Sequence, residues 1–210
     1  MKRHDLTELH YLVPMENLSS ILRHGILSHR RAIAHEHTSI ANPSVQAQRN
    51  GKRIVASRDV HDYVNLYVNG RNAMLFAVLG FPERPPTEHL RCAVLSVGTD
   101  VLDVPNVVIS DRNAAAGLAR FYPPQRGLER LDRDTVFSRV WKDDNPIEEA
   151  RKKEEMMAEV LVPERVDPRF LERAYVCCND ALQSARSLGL ELDFEINRYI
   201  FFNDGVRYHD

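Results

Sequence analysis

Apolar positions along this chain fall mostly in short runs or alternate with polar ones, and a few segments repeat at helical spacing. The short and alternating runs predict strands at residues 9–13, 62–67, 74–79, 93–97, 107–110, 159–162, 174–177 and 195–202. Helical spacing and charged runs predict helices at residues 15–24, 148–155, 168–172 and 180–188. Gly25 and Gly189 stand where helices would end. Because helices and strands do not alternate strictly, the pattern predicts an α+β fold.

Two stretches lack a clear period. Residues 29–58 are polar and basic, with a short pattern only at 44–49, and residues 121–144 are irregular around Pro123 and Pro124. A connection as long as 29–58 inside a compact domain is usually functional or mobile. We therefore expect the first stretch to contribute to a site.

Composition bounds the class of protein. The chain has 210 residues, of which 43% are hydrophobic and 28% charged, values typical of one globular domain spanning residues 1–210. No apolar run is long enough to cross a bilayer, and no apolar stretch follows the charged start as in a signal peptide. The three cysteines are odd in number and two are adjacent, which fits a reducing compartment. We expect a cytoplasmic monomer that does not bind membranes.

Charge is unevenly distributed along the chain. The net charge is −2, yet residues 23–58 hold seven Lys and Arg, four His and only one acid, Glu36. A basic segment on a nearly neutral protein is typical of a site for a phosphodiester or a dinucleotide. The alternative is a solvated basic face.

The motifs of the common cofactor sites are missing from the sequence. His29, His35 and His37 lack a fourth ligand at a standard zinc spacing, and there is no CxxC pair. Neither a GxGxxG nor a Walker A segment occurs. The sequence thus favours no metal, no Rossmann fold and no P-loop.

Glu159 is the one acid inside an apolar strand segment, MAEVLV at residues 157–162. Burying a carboxylate without a partner costs several kcal/mol. The side chain is therefore either exposed on one face of the strand or held in place for chemistry.

Five segments together carry a resemblance to a known family. They are HYLVPMENL (10–18), VQAQRN (45–50), HDYVNLY (61–67), RNAML (71–75) and MAEVLV (157–162). In this order and spacing they resemble the DarT family, toxin enzymes that transfer ADP-ribose from NAD onto bases of single-stranded DNA. The resemblance implies an ADP-ribosyltransferase fold, with two packed sheets around an NAD cleft and flanking helices. It also implies NAD as co-substrate, no metal, and a cognate antitoxin with DarG-like ADP-ribosylglycohydrolase activity.

The resemblance assigns catalytic roles to Glu159 and Arg49. The Glu159 carboxylate would bind the ribose 2′-hydroxyl and face the oxocarbenium-like state that forms as nicotinamide leaves. Arg49 would act on the target base. We expect an electrostatic role for it, because a guanidinium stays protonated at any physiological pH.

The resemblance also implies binding residues. For NAD they are His10, Tyr11, Val13, Asn17, Leu27, Tyr67 and Met74. The family's His-x-Thr positions fall here on Tyr11 and Val13, so either Tyr11 replaces the histidine or a bulge brings His10 in. For DNA they are Gln46, Arg71, Lys152 and Lys153, with Lys142 and Arg151 as further phosphate contacts in a substrate-recognition segment at 141–155.

Strand alternation adds one prediction that does not depend on the family resemblance. Tyr63, Asn65 and Tyr67 should share one face of their strand, where an aromatic ring can stack on nicotinamide or on a base.

Two rival functions remain open. An RNA 2′-phosphotransferase or another RNA-directed enzyme of the same fold would share the LRHG stretch at residues 22–25, but its further Arg and His anchors have no match here. A non-catalytic nucleic-acid-binding protein would not need Glu159 or NAD. Within the family we favour thymine over guanine as the modified base.

Overall fold

A computed structural model describes residues 1–55, 58–79 and 89–202 of the chain. The strands are β1 (Glu8–Pro14), β2 (Ile26–Leu27), β3 (Arg53–Val55), β4 (Arg58–Asp59), β5 (Tyr63–Tyr67), β6 (Cys92–Gly98), β7 (Val108–Ser110), β8 (Phe121–Tyr122), β9 (Glu159–Pro163), β10 (Arg165–Val166), β11 (Leu171–Val176) and β12 (Phe194–Ile196). The helices are α1 (Leu18–His24), α2 (His29–Ala32), α3 (Pro43–Arg49), α4 (Ala73–Leu79), α5 (Pro124–Arg130), α6 (Arg133–Val136), α7 (Pro146–Glu155) and α8 (Asn179–Ser187). Single 3₁₀ turns occur at Arg3–Asp5, Met15–Asn17, Val60–Asp62, His89–Arg91, Thr99–Asp103 and Pro168–Phe170.

Eight strands form one sheet in the order β12-β11-β6-β1-β5-β9-β7-β8. β1 pairs with β6 along its whole length, and β5 pairs likewise with β9. The two central strands, β1 and β5, share only the register pair His10 and Tyr67. The sheet therefore consists of two four-stranded halves that diverge beyond this pair. The α+β class is confirmed, with one large sheet and the small ribbons β2–β10 and β3–β4 where two packed sheets were predicted.

The faces of β5 show how alternation positions a site. Val64 and Leu66 point into the main hydrophobic core, which lies between the sheet and its helices. Tyr63, on the opposite face, packs in a smaller core with Val60 and Leu161. The polar Asn65 lies on that same face, as the alternation predicts, so the residues with chemical function are separated from the main core.

Gly25 ends α1, as its position in the sequence predicts. Its φ is +80°, and an added Cβ would collide with the carbonyl of Val166. Only glycine therefore allows α1 to turn directly into β2, which pairs with β10.

One predicted strand is wrong and another is too long. Residues 74–79 belong to helix α4, because Asn72 caps its first turn by accepting from the Met74 and Leu75 amides at 3.0 and 3.1 Å. A short apolar run does not by its period distinguish a strand from a buried helix. Residues 195–202 continue β12 only to Ile196, because the Asn197 side chain accepts from the Ile200 amide and turns the chain.

Two other segments differ in detail from the sequence prediction. The helix predicted at 168–172 is a single 3₁₀ turn, and β11 begins at Leu171. The segment 29–58 is not one loop, since it contains α2, α3 and β3. In the described part of the chain, no helix is long and apolar enough to cross a membrane.

Candidate active site

A cavity of about 570 Å³ opens where β1 and β5 diverge. Its walls come from the face of β1 that carries Tyr11, the face of β5 that carries Asn65, and helices α1 to α4. Sites for small molecules and cofactors usually have volumes of roughly 300–1,000 Å³. The split in the sheet thus creates a site of cofactor size.

Glu159 begins β9 at the base of this cavity and is fully buried. Its carboxylate accepts hydrogen bonds from Arg49 Nη2 at 2.7 Å, from the Ala114 amide at 3.2 Å and from Asn65 Nδ2. The sequence left open whether this side chain is exposed or buried and held in place. The structure shows that it is buried and held by hydrogen bonds. Glu159 does not itself line the cavity, whereas Arg49 and Asn65 do, so its partners stand between it and the open space.

Arg49 is the last residue of α3, a helix begun by Pro43 and capped by Asn42, whose side chain accepts from the Ser44 amide at 2.9 Å. The Arg49 side chain is buried, and Nη2 also donates to Asn113 Oδ1 at 3.3 Å. Burial lowers the pKa of Arg49, but the facing carboxylate of Glu159 outweighs this and leaves the pKa above its ordinary value. The guanidinium is therefore a permanent cation.

Tyr67 closes the end of the cavity where the two sheet halves meet. Its hydroxyl donates to Met74 Sδ at 2.8 Å, which fastens helix α4 to β5. Burial, reinforced by the charge of Glu159, raises the pKa of Tyr67. The phenol stays neutral at physiological pH.

Most of the residues predicted to bind NAD or DNA lie around this cavity. Those that line it are Tyr11, Val13, Asn17, Leu27, Gln46, Tyr67, Met74 and Lys153. Lys153 is exposed, and the part of the chain that the structure describes offers it no ion-pair partner. Residues that lie far apart in the chain thus meet around one cavity.

His10 lies elsewhere. The pairing of β1 with β6 runs without a bulge, so His10 points to the face of the sheet opposite Tyr11. Its ring packs against Gly70, and Nε2 lies 3.2 Å from Glu8 Oε1. Of the two candidates for the nicotinamide contact, only Tyr11 faces the cavity, and the inclusion of His10 among the NAD contacts is corrected on this ground.

Arg71 and Lys152 also lie outside the cavity lining. Arg71 is buried, donates to the carbonyl of Tyr199 and stacks 4.1 Å from the ring centre of Phe202, so it holds the C-terminal turn. Lys152 pairs with Asp143 at 2.6 Å. Both side chains are thus engaged within the chain, and their role as DNA contacts stays a prediction.

The basic segment is largely balanced by acids from other parts of the chain. Arg30 pairs with Asp59 at 2.9 Å and with Asp62 at 2.5 Å. Arg31 and Arg58 both lie near Glu164, at 3.5 and 3.6 Å. The charge excess along residues 23–58 therefore does not become an equally large excess on the surface.

The residues missed from the sequence are those that complete the cluster around the acid. Asn113 and Ala114 follow β7, the neighbour of β9 in the sheet, and both bond to Glu159 or to its partner Arg49. The available signal was the polar turn at residues 111–113, directly after a predicted strand. No group of three or more His, Cys, Asp or Glu residues that could hold a metal occurs among residues 1–55, 58–79 and 89–202.

Comparison with known proteins identifies similar chains. A family model described as ssDNA thymidine ADP-ribosyltransferase, DarT, matches residues 10–202. A DNA ADP-ribosyl transferase-DNA ADP-ribosyl glycohydrolase fusion protein of Thermosipho africanus is 30% identical over 177 residues, covering 80% of this chain and 42% of that protein. A DNA ADP-ribosyl transferase of a Thermus species is 28% identical over 155 residues, covering 70% of this chain and 73% of that protein.

Solved structures agree on the fold. Thermosipho africanus DarTG in complex with ADP-ribose superposes on this chain with a TM-score of 0.79 at 24% identity. The superposition covers 93% of this chain and 51% of the DarTG chain. Thermus sp. 2.9 DarT in complex with ADP-ribosylated ssDNA superposes with a TM-score of 0.79 at 21% identity. The superposition covers 94% of this chain and 97% of that DarT chain. The chain thus spans about half the length of the fusion proteins that it matches.

Proposed function

The chain belongs to the DarT family, and on that premise we propose that it transfers ADP-ribose from NAD to a base of single-stranded DNA. The observation that carries the proposal is the buried pair of Glu159 and Arg49, 2.7 Å apart, behind a cavity of cofactor size. A buried charged pair is not a strong source of stability. Its position at the only split in the described sheet favours a role in chemistry.

The residues present fit NAD. The cavity has the required size, and Tyr11 and Tyr67 offer aromatic rings on its two opposing strands. Arg49 Nε is buried without a hydrogen-bond partner, which leaves a donor available to a ligand. When bound, NAD would supply an ADP-ribosyl group whose ribose C1′ becomes positively charged as nicotinamide leaves.

Glu159 would stabilise that positive charge. Its carboxylate is held by Asn65 and by the Ala114 amide, so it needs little reorganisation at the moment of reaction. Because Arg49 now bonds it from the cavity side, the Arg49 side chain would have to swing aside before a ribose hydroxyl could reach the carboxylate.

Arg49 would then act on the target base. As a permanent cation it cannot accept a proton, but it can stabilise the negative charge that a base acquires as its N–H is lost. Lys153 and Gln46 at the cavity are the proposed contacts to the DNA strand. The basic segment contributes less than its sequence suggests, because Arg30, Arg31 and Arg58 are paired with acids.

The finer assignments rest on the relatives. Thymine is the proposed target because the matching family description names thymidine. A partner with ADP-ribosyl glycohydrolase activity is proposed because that activity is named for the fused relative. We further propose that the chain is a toxin, and that it acts as a cytoplasmic monomer made of one transferase domain.

The test uses NAD and three single-stranded oligonucleotides that contain one thymine, one guanine or neither. Mass spectrometry should show an added mass of about 541 Da, one ADP-ribosyl group, on the thymine strand alone. An adduct on the guanine strand alone would reassign the target. An adduct on none of the strands, with transfer from a 2′-phosphorylated RNA instead, would establish the phosphotransferase alternative. Absence of NAD binding would favour the non-catalytic one.

A further inference from the structure

The proposed reaction releases a proton for which the pair of Glu159 and Arg49 offers no acceptor. Both candidate bases, thymine and guanine, attack through a nitrogen that carries hydrogen. Arg49 is already protonated, and Tyr67 is a neutral phenol with a raised pKa. Once Arg49 has moved aside, Glu159 would be engaged by Asn65, by the Ala114 amide and by the ribose hydroxyl. This leaves a role for a neutral base in the same cavity.

His61 is a candidate base in the wall of this cavity. It lies in the 3₁₀ turn Val60–Asp62 that leads into β5, and its amide donates to Asp59 Oδ1 at 2.9 Å. The half-buried ring lines the cavity, and its Nε2 is buried without a hydrogen-bond partner. A buried polar atom left unpaired is destabilising, and a hydrogen bond from a ligand N–H would remove that cost.

Burial and the neighbouring cations keep His61 neutral. Burial lowers its pKa most, followed by the ring of His29 and by the cations Arg49 and Arg30, while Asp59 acts in the opposite direction. The net pKa lies below the ordinary value of 6.5, so the imidazole is an unprotonated base at neutral pH. The same reasoning applies to His29, whose pKa is lowered by burial and by His37, Arg30 and Arg49.

We propose that Nε2 of His61 accepts the proton of the target base during transfer. In this step the base N–H bond breaks and its proton passes to Nε2, while the nitrogen forms a bond to ribose C1′. The bond from C1′ to nicotinamide breaks, and its electron pair leaves with neutral nicotinamide. The exposed ring of His29, 4.3 Å from that of His61, then connects the new imidazolium to solvent.

This assignment rests on the proposed transferase function and deepens it. It also separates two roles that a single arginine cannot combine. The charge of Arg49 stabilises the ionised base, and His61 removes the proton.

The first test measures the protonation of His61 without turnover. Imidazole resonances are followed by NMR against pH in the free protein and in the complex with a single-stranded oligonucleotide, and His61→Gln assigns the signal. His61 should titrate below pH 6.5 in the free protein, and its signal should shift on DNA binding. A His61 that is protonated at pH 7.5, or one that DNA leaves unchanged, would overturn the assignment.

The second test follows the rate of DNA modification against pH. His61→Gln should lower the rate by about 10²–10⁴-fold at pH 7.5 and should abolish the fall in rate on the acid side of the wild-type profile. Added imidazole should restore part of the rate. The matched control is His4→Gln, which removes an exposed histidine of the Arg3–Asp5 turn and should leave rate and pH profile unchanged.

Separate readouts distinguish the possible failures. If the wild type forms no adduct on DNA, the proposed function itself fails. If the wild type is active and His61→Gln matches its rate and pH profile, the proton acceptor lies elsewhere. A variant that loses NAD affinity and rate in equal measure, without rescue by imidazole, would show a structural role and also overturn the assignment.

Discussion

Two glutamates, Glu8 half-buried and Glu159 fully buried, stand at the beginning of two strands of the same sheet, yet they sit in different surroundings. Glu8 begins β1 and accepts from Tyr175 at 2.9 Å and from Ser96, with His10 at 3.2 Å. Glu159 begins β9 and is bonded by three donors as well. Burial of an acid and the number of its partners therefore do not identify a functional site.

The two clusters differ in whether the hydrogen-bond partners of the glutamate line the cavity. The three partners of Glu8 are absent from the cavity lining, whereas Arg49 and Asn65 line it and connect Glu159 to open space. Burial raises the pKa of Glu8, but the bonds from His10, Ser96 and Tyr175 outweigh it and hold the pKa at about 2. We infer that the first cluster stabilises the fold and the second performs chemistry.

The strongest way to break this comparison is to neutralise each acid in turn. Glu159→Gln should lower DNA modification by roughly 10²–10³-fold, because one preorganised charge is lost from the transition state. Glu8→Gln should stay within a few-fold of the wild type. The measurement is the initial rate with NAD and oligonucleotide. Equal losses in the two variants would contradict the division of roles.

Arg49→Ala sharpens the comparison, because it removes the side chain that covers Glu159. Modification of DNA should fall by about 10²-fold, since the developing charge on the base loses its cation. Hydrolysis of NAD in the absence of DNA should persist, because the carboxylate becomes more accessible. Arg49→Lys, which keeps the charge without the planar fork, should recover only part of the DNA reaction. Loss of both activities together would refute this separation.

Glu8 should control stability in acid. A carboxyl group whose pKa is lowered in the folded state contributes its full stability at pH values above its pKa in the unfolded chain, 4.5. That stability is lost as the pH falls toward the folded-state pKa of about 2. Because the side chain is partly exposed, solvent screening reduces the contribution to about 1–2 kcal/mol at neutral pH. Urea unfolding at pH 7 and pH 3 should show wild type and Glu8→Gln converging at the lower pH. If the two proteins differed in unfolding free energy by the same amount at pH 7 and pH 3, the ionised Glu8 carboxylate would not be the source of the difference.

Lys153 gives the smallest expected effect. Lys153→Ala should reduce the slope of log affinity for single-stranded DNA against log salt by about 0.7, the value for one lost phosphate contact. Lys142 is the matched control, because its ammonium pairs with Glu149 at 3.1 Å and it does not line the cavity. Similar slopes for wild type and Lys153→Ala would remove this residue from the DNA-binding surface.

Much of the local structure follows from short-range patterns in the sequence. The alternation in β5 predicted the common face of Tyr63, Asn65 and Tyr67, and Gly25 predicted the end of α1. The prediction failed at α4, because a short apolar run with no breaker suits a strand as well as a helix. The capping side chain of Asn72 and the surrounding core decide between the two.

The sequence by itself determined the family, the α+β class and the candidate residues Glu159, Arg49 and Asn65, because these depend on motif order and on strand alternation, but it did not indicate Asn113 and Ala114. Tertiary structure alone decided that Arg49 and Glu159, 110 positions apart, form one pair. It also decided that Tyr11 rather than His10 faces the cavity, and that acids from distant segments neutralise the basic stretch. The physical reason is the same in each case. Electrostatic partners are set by distance in space, and the order of residues along the chain does not contain that distance.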